Sequence, residues 1–169
     1  GFDYNRPPDY WLIEISGIPF GLFGEMLQGG GNPWRGMLYA MTSRLPYCGN
    51  PAPLWRLWDQ FGLGEAEMLG YWSPECPVRT DQPGVLATVY RRQGRSLVCL
   101  ASWEKQPVQC TLSLDWQALG LDPRRASLQA PEIEGLQPGR TISLEGPLPI
   151  DPGSGCILWL QETPTATPR

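Results

Sequence analysis

The chain contains no histidine. That absence removes Ser-His-Asp and Cys-His nucleophilic catalysis, together with every zinc site that relies on imidazole. Charge is sparse and slightly negative, with 13 Lys and Arg against 17 Asp and Glu and a net charge of −4. A chain so poor in cations builds no basic face for a phosphate backbone, so nucleic acid is not an expected partner. No apolar run approaches the roughly 20 residues of a membrane helix, and no membrane partner is expected. The five cysteines (Cys48, Cys76, Cys99, Cys110 and Cys156) are odd in number and lack CxxC spacing. They support neither a metal cluster nor a disulfide scaffold, and neither a metal nor another cofactor is expected. No charged-then-apolar leader opens the sequence, which begins at Gly1 rather than Met. The natural N-terminus is therefore expected upstream, and export is left open.

What is present points to a packed protein. Hydrophobic residues make up 41% and charged residues 18% of 169 positions, a globular balance sufficient for one domain, or for a small domain and a piece of another. Eight tryptophans and six tyrosines are a heavy aromatic load. Aromatic faces are the platforms on which sugar rings stack, and they are equally the bulk of many cores. The densest information lies in 17–44, where short apolar runs alternate with glycines around one carboxylate, Glu25, one tryptophan, Trp34, and the arginine next to it, Arg35, with a second arginine, Arg44, at the end. Glycine allows close backbone approach to a ligand or to another backbone. A solvated linker would not carry Phe20, Leu22, Phe23, Met26, Leu27, Met37, Leu38 and Tyr39 in so short a span.

The two halves differ in pattern. In residues 1–75, Tyr10–Ile15 (apolar but for Glu14), Ile18–Phe23 and Met37–Met41 are apolar runs without alternation, which suits strands buried on both faces in an α/β arrangement. Leu54, Leu57, Trp58 and Phe61 then fall at i, i+3, i+4 and i+7, an amphipathic helix entered through Pro51 and Pro53 and closed by Gly62. Residues 65–71 allow one further helical turn. From 76 to 162, strand-like runs at 85–91, 97–103, 108–114, 126–129, 140–144 and 155–160 fit an antiparallel β-sandwich, with a helical turn at 115–123. Residues 163–169 read as a disordered tail. Three buried-type strands and one helix cannot cover their own edges, so the first half is expected to belong to something larger.

The hairpin geometry sets an expectation for two thiols. If residues 104–107 form the turn between 97–103 and 108–114, Trp103 faces Val108, Cys99 faces Leu112 and Cys110 faces Ala101. The two sulfurs become diagonal neighbours on one face, and they read as reduced core residues. A disulfide between them would need a shifted register.

The stretch from Tyr10 to Met37, with Pro53–Asp59 and Trp116–Asp122, resembles the late barrel region and following domain of large bacterial proteins of the glycoside hydrolase family 123 type. The resemblance covers nearly the whole chain up to the tail. It implies that residues 1–75 are the terminal strands and closing helix of a (β/α)8-type barrel, followed by an antiparallel β-sandwich domain. It also implies carbohydrate as ligand and the remainder of the parent barrel as packing partner. For a bacterial carbohydrate-active protein, an extracellular or periplasmic location is open.

Glycoside hydrolysis ordinarily needs two acidic side chains. The family resemblance implies a substrate-assisted variant with a neighbouring Asp-Glu pair, and residues 1–75 have no adjacent Asp-Glu. The catalytic pair is therefore expected upstream, which makes the parent a hydrolase and this segment alone inactive. In barrels the functional groups follow the C-terminal ends of strands. The candidates there are Glu25, Asn32, Trp34, Arg35 and Arg44, with Glu25 the one candidate for a catalytic group and at most a substrate-binding or secondary carboxylate, and Trp34 and Arg35 contacting a sugar. Glu25 as a capping carboxylate, Trp34 as a barrel plug, and Arg35 paired with Glu25 or Asp59 stand beside that reading. Two other functions remain: a small non-catalytic carbohydrate-binding module using Trp34, Tyr47 and Trp72, or a purely structural β-domain.

Overall fold

A computed structural model describes residues 5–10, 12, 31–42 and 49–163 of the chain. The expected strand at 18–23, the candidates Glu25 and Arg44, the proposed platform residue Tyr47 and residues 164–169 lie outside the described residues.

The first described elements correct the strand expectations. Residues 8–10 and 12 are helical, so the start of the 10–15 run is not extended. The Met37–Met41 run is the end of a helix, α1 (Pro33–Met37), and the turn after it. Asn32 caps this helix by accepting from the Arg35 N–H at 3.0 Å, and Pro33 holds the first helical position. The helix closes with Ala40 in the left-handed region, at φ 57°, and with the Met41 N–H bonded to Gly36 O at 2.9 Å. A short apolar run is ambiguous between a buried strand and a buried helix end, and the Asn-Pro pair is the signal that separates them.

Helix α2 (Ala52–Phe61) forms as its periodicity predicts, with Leu54, Leu57 and Phe61 buried and Trp58 packed beside them. Gly62 ends it in the left-handed conformation (φ 77°), and the guanidiniums of Arg92 and Arg95 donate to Phe61 O at 2.8 and 2.9 Å. Residues 65–71 are not one more helical turn. A 3-10 turn (Leu63–Glu65) leads directly into strand β1 (Glu67–Leu69).

Nine further strands follow: β2 (Val78–Thr80), β3 (Val85–Arg92), β4 (Arg95–Ser102), β5 (Val108–Cys110), β6 (Leu112–Leu114), β7 (Ala126–Ala130), β8 (Arg140–Ile142), β9 (Leu148–Ile150) and β10 (Gly155–Glu162). A short helix, α3 (Trp116–Leu119), sits between β6 and β7 and is capped by Asp115 and closed by Gly120. Six strands form one antiparallel sheet in the order β1-β3-β4-β10-β7-β8. The remaining four pair as two ribbons, β2 with β6 and β5 with β9.

The sheet is apolar on both faces. Val98 and Leu100 of β4 join Cys156, Leu158 and Leu160 of β10 in a core shared with the ribbons and with Leu119 of α3. Alternate residues Leu97, Cys99 and Ala101, with Ile157 and Tyr90, face α1 and α2 in a second core. Period-2 alternation therefore survives with both sets buried, and the sequence of β4 reads as one continuous apolar run.

The hairpin joining β3 and β4 through Gln93-Gly94 forms as expected, with Arg92 opposite Arg95. The expected pairing of 97–103 with 108–114 does not. The neighbours of β4 are β3 and β10, and the 108–114 run breaks at Thr111 into two strands that serve different ribbons. Cys99 consequently faces Thr88 and Ile157, Cys110 faces Leu148, and the two thiols lie in different cores. All four described cysteines are buried free thiols.

Where β10 begins, Trp34 of α1 rests on Gly155. A Cβ added there would lie 2.0 Å from Leu100 O and 2.7 Å from Trp34 Cβ. Gly155→Ala is therefore expected to destabilise the protein by about 2 kcal/mol or more, because a backbone oxygen cannot swing aside as a side chain does. Urea unfolding of the two proteins checks this, as a lowered midpoint with unchanged slope.

Candidate functional site

The site begins with the capping of α1. Asn32 is buried and uses both ends of its amide: Oδ1 accepts the Arg35 N–H, and Nδ2 donates to Gly153 O at 2.7 Å. That second bond joins the helix start to the turn preceding β10. One residue past the Trp34 contact with Gly155, the Arg35 side chain reaches the end of β4. Its Nε and Nη2 donate to the single carbonyl of Ser102 at 3.2 and 2.8 Å, and the guanidinium lies 4.5 Å from the centre of the Trp103 ring. Arg35 is only 7% exposed, and a carbonyl dipole and an aromatic face are among the groups that meet its charge there. The Trp103 Nε1 donates in turn to Arg6 O at 2.9 Å.

Further bonds run from the sheet to the turn after α1. Tyr90 donates its hydroxyl to Met37 O at 2.6 Å, and Thr88 to Leu38 O at 3.0 Å. The Trp55 indole donates to Thr42 Oγ1 at 3.1 Å and the Trp58 indole to Met37 Sδ at 3.3 Å. Tyr39 stacks on Trp72 with ring planes 4° apart, and its hydroxyl lies 3.0 Å from that of Tyr71. Trp72 stays 45% exposed on the outside of this stack.

Of the five residues singled out in the sequence, the structure thus brings Asn32, Trp34 and Arg35 together. The polar groups of Asn32 and Arg35 are engaged with main-chain atoms of the β-rich region. Trp34 is partly buried, and its Nε1 is buried without a hydrogen-bond partner. A cleft of about 310 Å³ opens beside it between Asn50, Pro51 and residues 133–136, and a second of about 320 Å³ runs along Gln137, Arg140, Asp151 and Ser154. Sequence reasoning missed these lining residues. They come from loops and edge strands with no periodicity, and only the pairing of β7, β8 and β10 brings them to Trp34.

Titration in this region follows burial. Tyr39 is pushed well above the ordinary phenol range first by burial and then by its bond to Tyr71, while Tyr71 and Tyr90 are raised chiefly by burial. The thiols of Cys76, Cys99 and Cys156 are also raised, and burial takes Cys110 to about 11. Such groups stay neutral at neutral pH. Asp122 is held at about 2 by the guanidinium and backbone N–H of Arg124, inside its own turn. Among the described residues no cluster of three or more His, Cys, Asp or Glu is placed to hold a metal ion.

A β-rich module carrying helices on one face of its main sheet, with the start of the chain bound to that same face, is the class of structure that these contacts define. The sequence profile of the glycoside hydrolase 123 C-terminal domain matches residues 50–161, and that of the glycoside hydrolase 123 TIM-barrel domain matches residues 1–46. The chain belongs to glycoside hydrolase family 123. No curated protein and no solved structure gives a significant match.

Two predictions follow from the packing. Arg35→Ala should cost about 2–3 kcal/mol, because the Ser102 carbonyl loses two charge-assisted bonds and stays buried; Arg35→Lys should recover less than half, since an ammonium offers no planar fork. Chemical unfolding of the three proteins at one pH measures this. The second concerns alkali. The buried phenols and thiols ionise later in the folded chain than in the unfolded one, so the unfolded state binds fewer protons above about pH 8.5. Their contribution is complete below that pH and is lost as pH rises through the folded values, including about 11 for Cys110. The urea midpoint should be flat from about pH 7 to 8.5 and fall steadily beyond.

Proposed function

We propose that this chain is the C-terminal segment of a carbohydrate-active glycoside hydrolase, in which an accessory β-sandwich holds the last stretch of the barrel domain and is not itself catalytic. In this reading the six-stranded sheet is one layer of the sandwich and the two ribbons are the other. The observation that carries it is the attachment of α1, which lies within the barrel-domain match, to the C-terminal-domain match. Arg35 bonds to Ser102 O, Asn32 to Gly153 O and Tyr90 to Met37 O. Asn32 and Arg35 act here as positioning residues. Glu25 and Arg44 are proposed as sugar-contacting residues, and Trp34 stands between the two roles.

The two parts are proposed as 1–75 and 76–162, with 46–75 as the stretch that joins them. The family matches meet at 46–50, helix α2 packs against the sheet, and β1 adds an edge strand to it. Carbohydrate is the proposed ligand and the rest of the barrel the proposed partner. The net charge of −4 argues against nucleic acid, and among the described residues no helix is long and apolar enough to cross a membrane.

Hydrogen exchange of the whole chain tests the attachment. Amides of residues 37–42 should be protected together with β4, and Arg35→Ala should lower their protection about 30- to 100-fold. Free exchange of 37–42 in the unmodified chain would overturn the anchoring role. With a panel of chromogenic aryl glycosides the chain should show no turnover; turnover abolished by Glu25→Gln would overturn the non-catalytic assignment.

A further inference from the structure

The second cleft beside Trp34 combines features that the anchoring role leaves unused. Its wall is Trp34, standing on Gly155, with the indole Nε1 buried and unpartnered. Its floor is rigid. The Gln137 Nε2 donates to Pro131 O and Ile157 O, both at 2.8 Å, while Oε1 accepts the Ile157 N–H at 2.9 Å. Its rim carries one cation, Arg140 on β8, and one anion, Asp151 in the turn before β10, both exposed. Neither forms an ion pair among the described residues; the guanidinium of Arg140 instead faces the buried thiol of Cys156.

An unlike pair left open across a small cleft selects against charged ligands. A fixed anion would meet Asp151 and a fixed cation would meet Arg140. A neutral polyol satisfies both, giving hydroxyl hydrogens to the carboxylate and oxygen lone pairs to the guanidinium. A sugar ring adds an apolar C–H face suited to an aromatic wall. At about 320 Å³ the cleft is at the small end of ligand pockets, matched to a single ring rather than a long chain.

We propose that this cleft is a carbohydrate subsite on the β-rich module, taking one neutral pyranose between Trp34, Arg140 and Asp151. It rests on the carbohydrate-active reading of the chain. It adds a binding point at the seam between the barrel-domain match, which supplies Trp34, and the β-rich module, which supplies Arg140 and Asp151. A substrate chain leaving the barrel mouth could be held there by a neighbouring sugar unit.

The test uses the whole chain and the methyl glycosides of glucose and galactose with their 2-acetamido analogues, followed by ligand-observed NMR and calorimetry. At least one should bind saturably in the millimolar range. Arg140→Ala and Asp151→Asn should each weaken it about tenfold or more, as expected for loss of a charge-assisted hydrogen bond, with unchanged thermal melting. Glu145→Gln, outside the cleft, should bind as the parent does. Saturable binding that neither variant weakens would overturn the subsite and leave the carbohydrate reading standing. Absence of saturable binding by the unmodified chain would also overturn the subsite. The anchoring role would still be judged separately by exchange of residues 37–42.

Discussion

A single carbonyl, that of Ser102 at the end of β4, receives two donors from the Arg35 guanidinium, and much of the arrangement around it depends on that contact. Burying a cation is expensive unless it is well hydrogen-bonded. Here the cost is offset by the carbonyl dipole, the Trp103 face and the placement of Arg35 on a helix whose cap reaches across to Gly153. Such a contact tolerates little displacement, because a planar fork must meet one oxygen. It thereby fixes where α1 lies, and α1 in turn fixes Trp34 over Gly155 and the Met37–Met41 turn under Tyr90. Ala40 holds a positive φ in that turn, a conformation that costs a non-glycine residue about 1–2 kcal/mol unless its surroundings impose it.

The main sheet makes this attachment possible. An antiparallel sheet usually leaves one face to water. In this chain the second face is covered by helices and by the Met37–Met41 turn, so β4 and β10 are buried on both sides at the centre of the sheet. The final long strand, β10, fits between β4 and β7 and closes the sheet last in chain order. Its early residues lie beside Trp34, so the end of the chain helps to shape the surface that the start of the chain occupies.

Membership of glycoside hydrolase family 123 gives these contacts a functional setting. The perturbed phenols and thiols are held neutral by burial, which is a signature of packing. The region packs the 31–42 segment onto the main sheet and has a polar cleft at its border. Of the residues that sequence reading placed at a sugar site, Asn32 and Arg35 donate to main-chain atoms, while Trp34 borders both clefts.

Several features were determined by the sequence alone, because their physics is local. The absence of histidine ruled out whole classes of chemistry, the spacing of Leu54, Leu57 and Phe61 set the buried face of α2, and Gln93-Gly94 produced the β3–β4 hairpin. The helical turn expected within 115–123 forms as α3, which ends at Gly120. Tertiary structure decided what depends on distant partners. It split 108–114 between two ribbons, put Cys99 and Cys110 in different cores, and turned the apolar Met37–Met41 run into a helix end pressed on the sheet. It also assembled the cleft, bringing Trp34 to Arg140 and Asp151 from more than 100 positions further along the chain. Propensity, capping and periodicity act over a few residues, whereas strand neighbours are chosen by which edges and faces remain to be covered when the whole chain has collapsed.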